Sequence, residues 1–404
     1  MQELKYSKIT PENISNFTKK DILAEIRRLE SEKDAAANAN SSLKIIINSF
    51  YGVLGYAPFV LYERNVARAV TGQSRAIIQQ TEKIFNDYFI HKWHLDKEGH
   101  EAMGIVGEVR RVEHPVVNYL DTDSCFVLLK EIFEDAISCG YAGEFKQFVM
   151  DLDKHCLRSW VNEKLTEFAR TSNADAKDSK GVNYQNLELE ESCFSVLWIK
   201  KKKYIKHITW GDGIDYEFGK KIKVKGIEIN QKSTPKWARS RLKELVDGIM
   251  KMGHKLDIRP LAKKIDIFRN QFELLEIRDI CLSIGVNGYD KYILEDNKNL
   301  QLADRCPIHL RAAGHYNWLL GKNNNPKYSR INSGSKIMFY YCENSKKDLN
   351  VFGFPDMGKH PYEFAPKPDY DRQFERVILN PVNNILKAAG APPIVIGNAI
   401  FTLL

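Results

Sequence analysis

The apolar positions of this chain change period several times, and each change marks an element. Over residues 20–37, Ile22, Ile26 and Leu29 share one face at helical spacing, which predicts a helix. A second helix is expected over about 41–54. A third starts near Gly72, where Ile77, Ile78, Thr81, Ile84, Phe85 and Tyr88 recur in the same way. Residues 116–129 read as two apolar strands around DTDS, a hairpin. Residues 144–170 return to helix, and NADAKDSKGVNYQN, 173–186, is a polar loop. CFSVLWI, 193–199, is a strand running into four lysines, and ITWGDGIDYEF and KIKVKGIEI supply further strand pieces. After Pro235 the pattern is helical again, with Leu242, Leu245, Val246 and Ile249 on one face. Residues 321–335 read as loop. A late helix covers 371–389, which Pro381 should kink or split and Gly390 should cap. The order predicts an α+β fold.

Length and composition refine this only in places. A chain of 404 residues suggests roughly two to three domains. The 43% hydrophobic content is enough for a real core. The net charge of +8 is unevenly spread. Residues 200–243 carry 14 Lys and Arg against Asp212, Asp215, Glu217 and Glu228, an excess of +10, so the basic character is local. A basic stretch suits nucleic acid but also suits an ordinary solvated face. The seven cysteines form no CxxC pair, which fits a reducing compartment and no zinc or iron–sulfur framework. The first residues, MQELKYSKITPEN, have no signal-peptide pattern. Residues 45–62 are uncharged for 18 positions, but Asn48, Ser49, Gly52, Gly55 and Pro58 favour a helix and a turn over a membrane span.

Three stretches carry candidate chemistry. In YLDTDSCFV, residues i and i+2 of a strand face one way, so Asp121 and Asp123 could present two hard oxygen ligands together. Such a pair suits Mg²⁺ and phosphoryl or nucleotidyl transfer, although DTDS is also a good plain turn. In SLKIIINSFYGVLGY, 42–56, a helix would align Lys44, Asn48 and Tyr51 at i, i+4 and i+7, with Gly52 beside the ring. A lysine there is a point charge suited to a triphosphate, and a ring next to bare backbone suits a base pair. An ordinary amphipathic helix would look the same. In KKKKY, 200–204, lysines after a strand could neutralise a phosphate backbone, or merely protect a sheet edge.

In order and spacing, these stretches together resemble family B DNA polymerases, and among them the replicative enzymes of T-even-type bacteriophages. Lys44, Asn48, Ser49, Tyr51 and Gly52 match the motif B pattern K-x-x-x-N-S-x-Y-G. Tyr119, Asp121, Thr122, Asp123 and Ser124 match motif C, Y-x-D-T-D-S. Lys201, Lys202, Lys203 and Tyr204 match K-K-x-Y, and KGIEINQKSTPKWAR, with Ser233, Thr234 and Lys236, resembles the palm-to-thumb passage. CPIHLRAAGHYN, 306–317, resembles the phage thumb. The resemblance implies a right-hand polymerase fragment: residues 1–55 the C-terminal part of the fingers, 56–225 the palm with its antiparallel sheet, and 226–404 a helix-rich thumb. It implies DNA-directed DNA polymerase chemistry, adding dNTPs to a primer 3′ end by a two-metal Mg²⁺ mechanism. Asp123 would be a principal metal ligand and Asp121 would tune the site. Lys44 and Asn48 would meet the dNTP, and Tyr51 and Gly52 the nascent base pair. Lys201, Lys202, Lys203, Tyr204, Thr234 and Lys236 would hold primer-template DNA. The end, GNAIFTLL, resembles a peptide that docks on a sliding clamp through Ile400, Phe401 and Leu404; a strand packed on the thumb would look similar.

One part of the pattern is missing. The family carries a second metal-binding aspartate and a sugar-checking tyrosine in D-x-x-S-L-Y-P-S, and no copy occurs in the 404 residues. The D-I-E exonuclease motif and the first fingers helix with its phosphate-binding arginine are not found either. The expectation is therefore a split polymerase, inactive alone, whose separate N-terminal chain supplies the exonuclease and motif A. The alternatives are a truncated fragment and a non-catalytic DNA-binding subunit. The resemblance further implies a virus-encoded protein working in the cytoplasm of a bacterial host.

Overall fold

The computed structural model describes residues 9–10, 13–172, 185–211, 213–295, 300–343 and 349–395. The segment 173–184, expected as loop, and Ile400, Phe401 and Leu404 lie outside the described residues. Two compact units emerge: residues up to Ala142 with Asp151–Leu187, and Gly143–Met150 with the chain from Glu188 onward. No helix among the described residues is long and apolar enough to cross a membrane.

The first unit opens with α1 (Lys19–Leu54), a single helix where two were expected. The Asn- and Ser-rich stretch 38–42 suggested a break, but it contains neither Gly nor Pro and follows three alanines, so helix propensity carries the turn through. Its start is a reciprocal cap. Thr18 Oγ1 accepts from the Asp21 N–H at 3.3 Å, and the Asp21 carboxylate accepts from the Thr18 N–H at 3.0 Å. No residue of α1 is buried.

Helix α2 (Arg64–Asp87) begins eight residues before the expected start at Gly72, capped by Glu63, whose side chain accepts from the Asn65 N–H. Its first turns carry only Val66 and Val70 as apolar signals, both exposed, which hid them from the periodicity. A π-turn, Tyr88–Lys92, and a 3₁₀ turn lead to α3 (Lys97–Met103). Strands β1 (Val117–Asp121) and β2 (Ser124–Val127) form the expected antiparallel hairpin. α4 (Lys130–Ser138) belongs to this unit; α5 (Phe145–Leu152) comes next in sequence, its residues up to Met150 falling in the second unit, and after a π-turn α6 (Arg158–Ser172) belongs to the first again. The core of this unit holds Tyr88, Phe89 and Trp93, all essentially fully buried. The Tyr88 ring lies 5.9 Å from Trp160, and its hydroxyl donates to Asp96 at 2.6 Å, so its polar end is satisfied inside.

The second unit starts with a four-stranded antiparallel sheet of β3 (Glu191–Lys200), β4 (Lys203–Gly211), β5 (Ile214–Asp215) and β6 (Ile222–Lys225), with β4 paired to all three others. Ile205 on β4 packs in one core with Leu242 of α7 (Lys236–Met252) and Ile265 of α8 (Ile258–Phe272). A boundary at residue 225 is therefore not a boundary of packing. The short α9 (Ile277–Ile280) precedes β7 (Leu282–Gly285), and α10 (Tyr289–Tyr292) precedes the ribbon β8 (Ile293–Glu295) and β9 (Leu300–Leu302). α11 (Ile308–Asn323) extends two residues past the expected start of a loop at 321. It covers β10 (Lys336–Tyr341) and β11 (Val351–Pro355), which with β7 form a second sheet. A Cβ at Gly353 would stand 3.2 Å from the Ala312 carbonyl carbon, so glycine there lets helix and strand approach closely.

The late helix is continuous in path: α12 (Tyr370–Phe374), a π-turn at Glu375–Leu379, and α13 (Asn380–Ala388). Pro381 falls in the first turn of α13, where its missing N–H is tolerated, and the π-turn precedes it. Gly390 has the left-handed φ of 73° expected after the helix end.

Candidate functional site

The β1–β2 hairpin sits on α2, and the contact is pinned by a side chain that periodicity could not reveal. Asn86 Oδ1 accepts from the backbone N–H groups of Val116 at 2.9 Å and Val117 at 3.2 Å, where β1 begins. Across the strands Tyr119 pairs with Phe126, their rings 5.9 Å apart in an edge arrangement. Asp121 pairs with Ser124, so the loop is only Thr122 and Asp123.

This loop corrects the expected geometry. Asp123 lies in the turn and not on a strand, so strand alternation does not direct it. The Asp123 N–H donates to the Asp121 carbonyl at 2.8 Å, and Thr122 has φ of 66°. That is the bond of a tight three-residue turn with a β-branched residue in left-handed backbone, a strained arrangement of the kind that clusters at functional sites. Ser124 Oγ also donates to the Asp121 carbonyl at 3.2 Å. The result is one buried carboxylate, Asp121 at 3% exposure, next to one exposed carboxylate, Asp123. An exposed carboxylate at a turn tip is open to a ligand, while a buried one beside it is fixed in place. Among the described residues, no group of three or more His, Cys, Asp or Glu is arranged to hold a metal ion. The neighbouring Cys125 thiol is pushed up to about 12, first by burial and then by the charge of Glu82 on α2, so it is no nucleophile at neutral pH.

Lys44, Asn48, Tyr51 and Gly52 all lie on α1 and are exposed, with Lys44, Asn48 and Tyr51 following one face as the spacing predicted. Both α1 and the hairpin pack against α2. A cation, an amide, a ring and a bare backbone position thus line one accessible strip within the unit that holds the two aspartates.

The lysine stretch belongs to the second unit. Lys200 pairs with Lys203 across the β3–β4 hairpin, and Lys201 and Lys202 form its exposed turn, with Lys202 at φ of 61°. Lys203 Nζ lies 3.3 Å from Glu228. Tyr204 is buried at 2% exposure, its ring 5.1 Å from Trp198 with Lys225 Nζ 5.5 Å from its centroid. Its place is in the packed layer under the lysines.

Two further residues hold this hairpin. Gly226 passes so close to the turn that a Cβ there would stand 2.1 Å from the Lys202 carbonyl oxygen. Glu191 accepts from Lys206 and, at 2.8 Å, from Lys223, tying β3, β4 and β6 together. Burial pushes the Glu191 carboxyl up, but the two lysines outweigh it and hold it below the ordinary range. A depression of about 520 Å³ beside β6 and α7 is lined by Lys221, Lys223, Lys243 and Asn230 and continues the basic surface. Thr234 is buried, its hydroxyl donating to the Glu228 carbonyl at 2.8 Å, whereas Lys236 is exposed at the start of α7. In the segment 306–317, His315 and Asn317 are buried and bonded to backbone: His315 Nδ1 to Val351 O at 2.8 Å, and Asn317 to both the N–H and C=O of Ile331. Their work is to join α11 to its surroundings.

Residues 18–154 match the family model described as DNA polymerase family B. The chain is similar to the DNA-directed DNA polymerase of Escherichia phage RB69, 24% identical over 312 residues, covering 76% of this chain and 32% of that protein. It is also similar to the DNA-directed DNA polymerase of Enterobacteria phage T4, 22% identical over 405 residues, covering 96% of this chain and 41% of that protein. The chain thus spans less than half the length of these relatives.

Proposed function

We propose that this chain, a relative of the family B DNA polymerases, is the template-directed nucleotidyl-transfer part of a DNA polymerase whose site is completed from outside these 404 residues. The observation that carries the reading is the DTDS hairpin, with Asp121 buried, Asp123 exposed at its tip and Thr122 strained between them. Residues 1–55 act as fingers, 56–225 as palm and 226–404 as thumb.

The donor set fits Mg²⁺ on one side. Carboxylate oxygens are its preferred protein ligands, one or two carboxylates plus substrate phosphates being its usual environment. Asp123 would hold the metal with Asp121 behind it. Bound there, the ion supplies charge stabilisation for an in-line displacement at the dNTP α-phosphorus. Lys44 sets a positive charge against the triphosphate, and Asn48 supports it with a neutral amide. Tyr51 and Gly52 present a ring and open backbone to the nascent base pair. Lys201 and Lys202 meet the phosphates of the primer-template duplex at the hairpin turn, Lys203 beside them, while Tyr204 and Thr234 hold the backbone beneath and Lys236 adds charge at the start of α7. The second metal-binding aspartate, the sugar check and the exonuclease come from a separate chain.

The test is reconstitution. The chain alone should show no primer extension with Mg²⁺ and dNTPs. Mixing it with the product of a neighbouring reading frame that carries D-x-x-S-L-Y-P-S should restore synthesis. Robust extension by the chain alone would contradict the split arrangement.

A further inference from the structure

The loop after β11 shapes a depression that the polymerase reading does not use. It lies in the second unit, has a volume of about 500 Å³, and is lined by Arg278, Lys327, Tyr328 and loop residues between Met357 and Glu363. The loop is held at three points. The Arg278 guanidinium donates to the carbonyls of Gly358 at 2.6 Å and Asp356 at 2.7 Å, and it lies 5.6 Å from the Phe354 ring. Glu363 accepts from Lys327 Nζ at 2.9 Å and from the Tyr328 hydroxyl at 2.5 Å. Between these anchors His360 is buried, its ring 5.0 Å from Phe354. A rim fixed in this way gives up little conformational freedom when a ligand binds.

The lining offers a ring, positive charge and one open acceptor. Tyr362 is 68% exposed, and its ring is steadied 4.3 Å from His360, with Met357 also on the surface. Arg278, Lys327 and Lys359 face a single acid, Glu363, whose two oxygens are already engaged. Lys359 is exposed and has no ion pair among the described residues. The acceptor follows from the hydrogen-bond network around His360. The Tyr340 hydroxyl has one proton and donates it to the Pro366 carbonyl at 2.8 Å, so toward His360 Nε2, at 3.2 Å, it can only accept. Nε2 therefore carries the ring proton. Burial keeps the ring neutral, which leaves Nδ1 as a bare acceptor, without a hydrogen-bond partner among the described residues. Such an acceptor is costly until a donor reaches it.

We propose that this depression binds a nucleoside monophosphate, free or as one unpaired residue of a single strand, with the base stacked on Tyr362, the phosphate facing Lys327 and Lys359, and a base N–H satisfying the His360 ring. Aromatic faces beside cations accept bases of any kind, because every base has a π-face. The volume is in the range of small-molecule sites. A metal cation is opposed by three positive charges. An inorganic anion would use the cations but leave Tyr362 idle, and a duplex would first have to unstack a base. The site goes beyond the polymerase reading: it lies outside residues 18–154, which match the family model, and Lys44 and its strip belong to the first unit.

Photo-crosslinking of the full chain with 8-azido-dAMP, read by peptide mapping, tests this and separates label here from label on α1 or at the lysine hairpin. Label should fall within residues 357–367. Unlabelled dAMP and a short single-stranded oligonucleotide should compete it, and inorganic phosphate or a blunt duplex should compete at least about tenfold less well. An oligonucleotide about tenfold better than dAMP identifies the single strand as the source, and equal competition the free nucleotide; both results support the site. Tyr362→Ala and Lys359→Glu, both at exposed positions, should each cut the label about tenfold, while Tyr362→Phe, which keeps the ring face, should hold it within about threefold. No label in this segment, label unchanged in Tyr362→Ala, or equal competition by phosphate overturns the proposal. So does stronger competition by a polyglutamate peptide than by dAMP, since charge alone would then fill the depression. DNA synthesis does not enter the readout, so this result and that of the reconstitution stand independently.

Discussion

Replacing Asn86 by Ala should loosen the aspartate hairpin without touching either aspartate. Its single Oδ1 satisfies two backbone donors at the start of β1, and both residues are buried, Val116 at 3% and Val117 at 9% exposure. A buried donor left unsatisfied costs about 1–3 kcal/mol. Asn86 itself is only half-buried, so water can partly replace it, and the low end applies. Two donors together then lose about 2–3 kcal/mol. Where local opening governs exchange, that is about a 30- to 150-fold faster amide exchange at Val116 and Val117. The assay is hydrogen exchange by mass spectrometry on fragments spanning the hairpin. Asn86→Asp supplies the decisive control, because a carboxylate still accepts both bonds and should stay within about tenfold of the parent. Equal exchange in the parent and Asn86→Ala would refute the anchoring role. Equal acceleration in both variants would show that the amide group, and not its acceptor oxygen, matters.

Other residues give independent checks. Thr122→Gly should relieve the left-handed backbone at φ of 66° and raise the urea midpoint by an amount worth up to about 1 kcal/mol, while Thr122→Val should not; a loss in the glycine variant would argue against strain. Gly226→Ala would force a Cβ to 2.1 Å from the Lys202 carbonyl, so a loss of at least about 2 kcal/mol in unfolding stability and weaker duplex binding are expected; unchanged binding would separate Gly226 from the lysine turn. His360 is 5% exposed, its Nδ1 has no hydrogen-bond partner among the described residues, and burial followed by the charge of Arg278 lowers its pKa from 6.5 to about 4. The native state thus favours the neutral ring. The stability this group contributes is complete above pH 6.5 and falls as the pH drops toward 4. Between pH 7 and pH 5 the loss should be about 1–2 kcal/mol. His360→Phe should flatten that part of the profile in thermal unfolding, and an unchanged profile would exclude His360 as its source.

What the sequence made legible follows from the range of the forces involved. The hairpin at 117–127 is local, with alternating apolar residues and a turn-forming DTDS, and it is where it was expected. The long helices from 145 and from 236 are strongly periodic and were equally plain. The continuity of α1 was hidden because Asn and Ser resemble caps, and only the absence of Gly and Pro told against a break. The direction of Asp123 was misjudged because strand alternation was extended two residues past the end of β1, into a turn set by its own backbone bond. Asn86 and Gly226 could not be found at all. One reaches a strand 30 residues away and the other clears a carbonyl 24 residues away, and neither leaves a periodic trace. The burial of Tyr204 has the same cause, since its cover from Trp198 and Lys225 depends on strand pairing.

The central claim is that the exposed Asp123 carboxylate is the metal-holding group of a nucleotidyl-transfer site. Single-turnover primer extension with Mg²⁺, using the reconstituted pair, tests it most directly when parent and Asp123→Ala are compared with duplex affinity measured in parallel. The account predicts that extension falls by about 10³-fold or more while primer-template binding changes by less than about threefold. Extension by Asp123→Ala at the parent rate, or a loss of binding equal to the loss of synthesis with the fold intact, would contradict it.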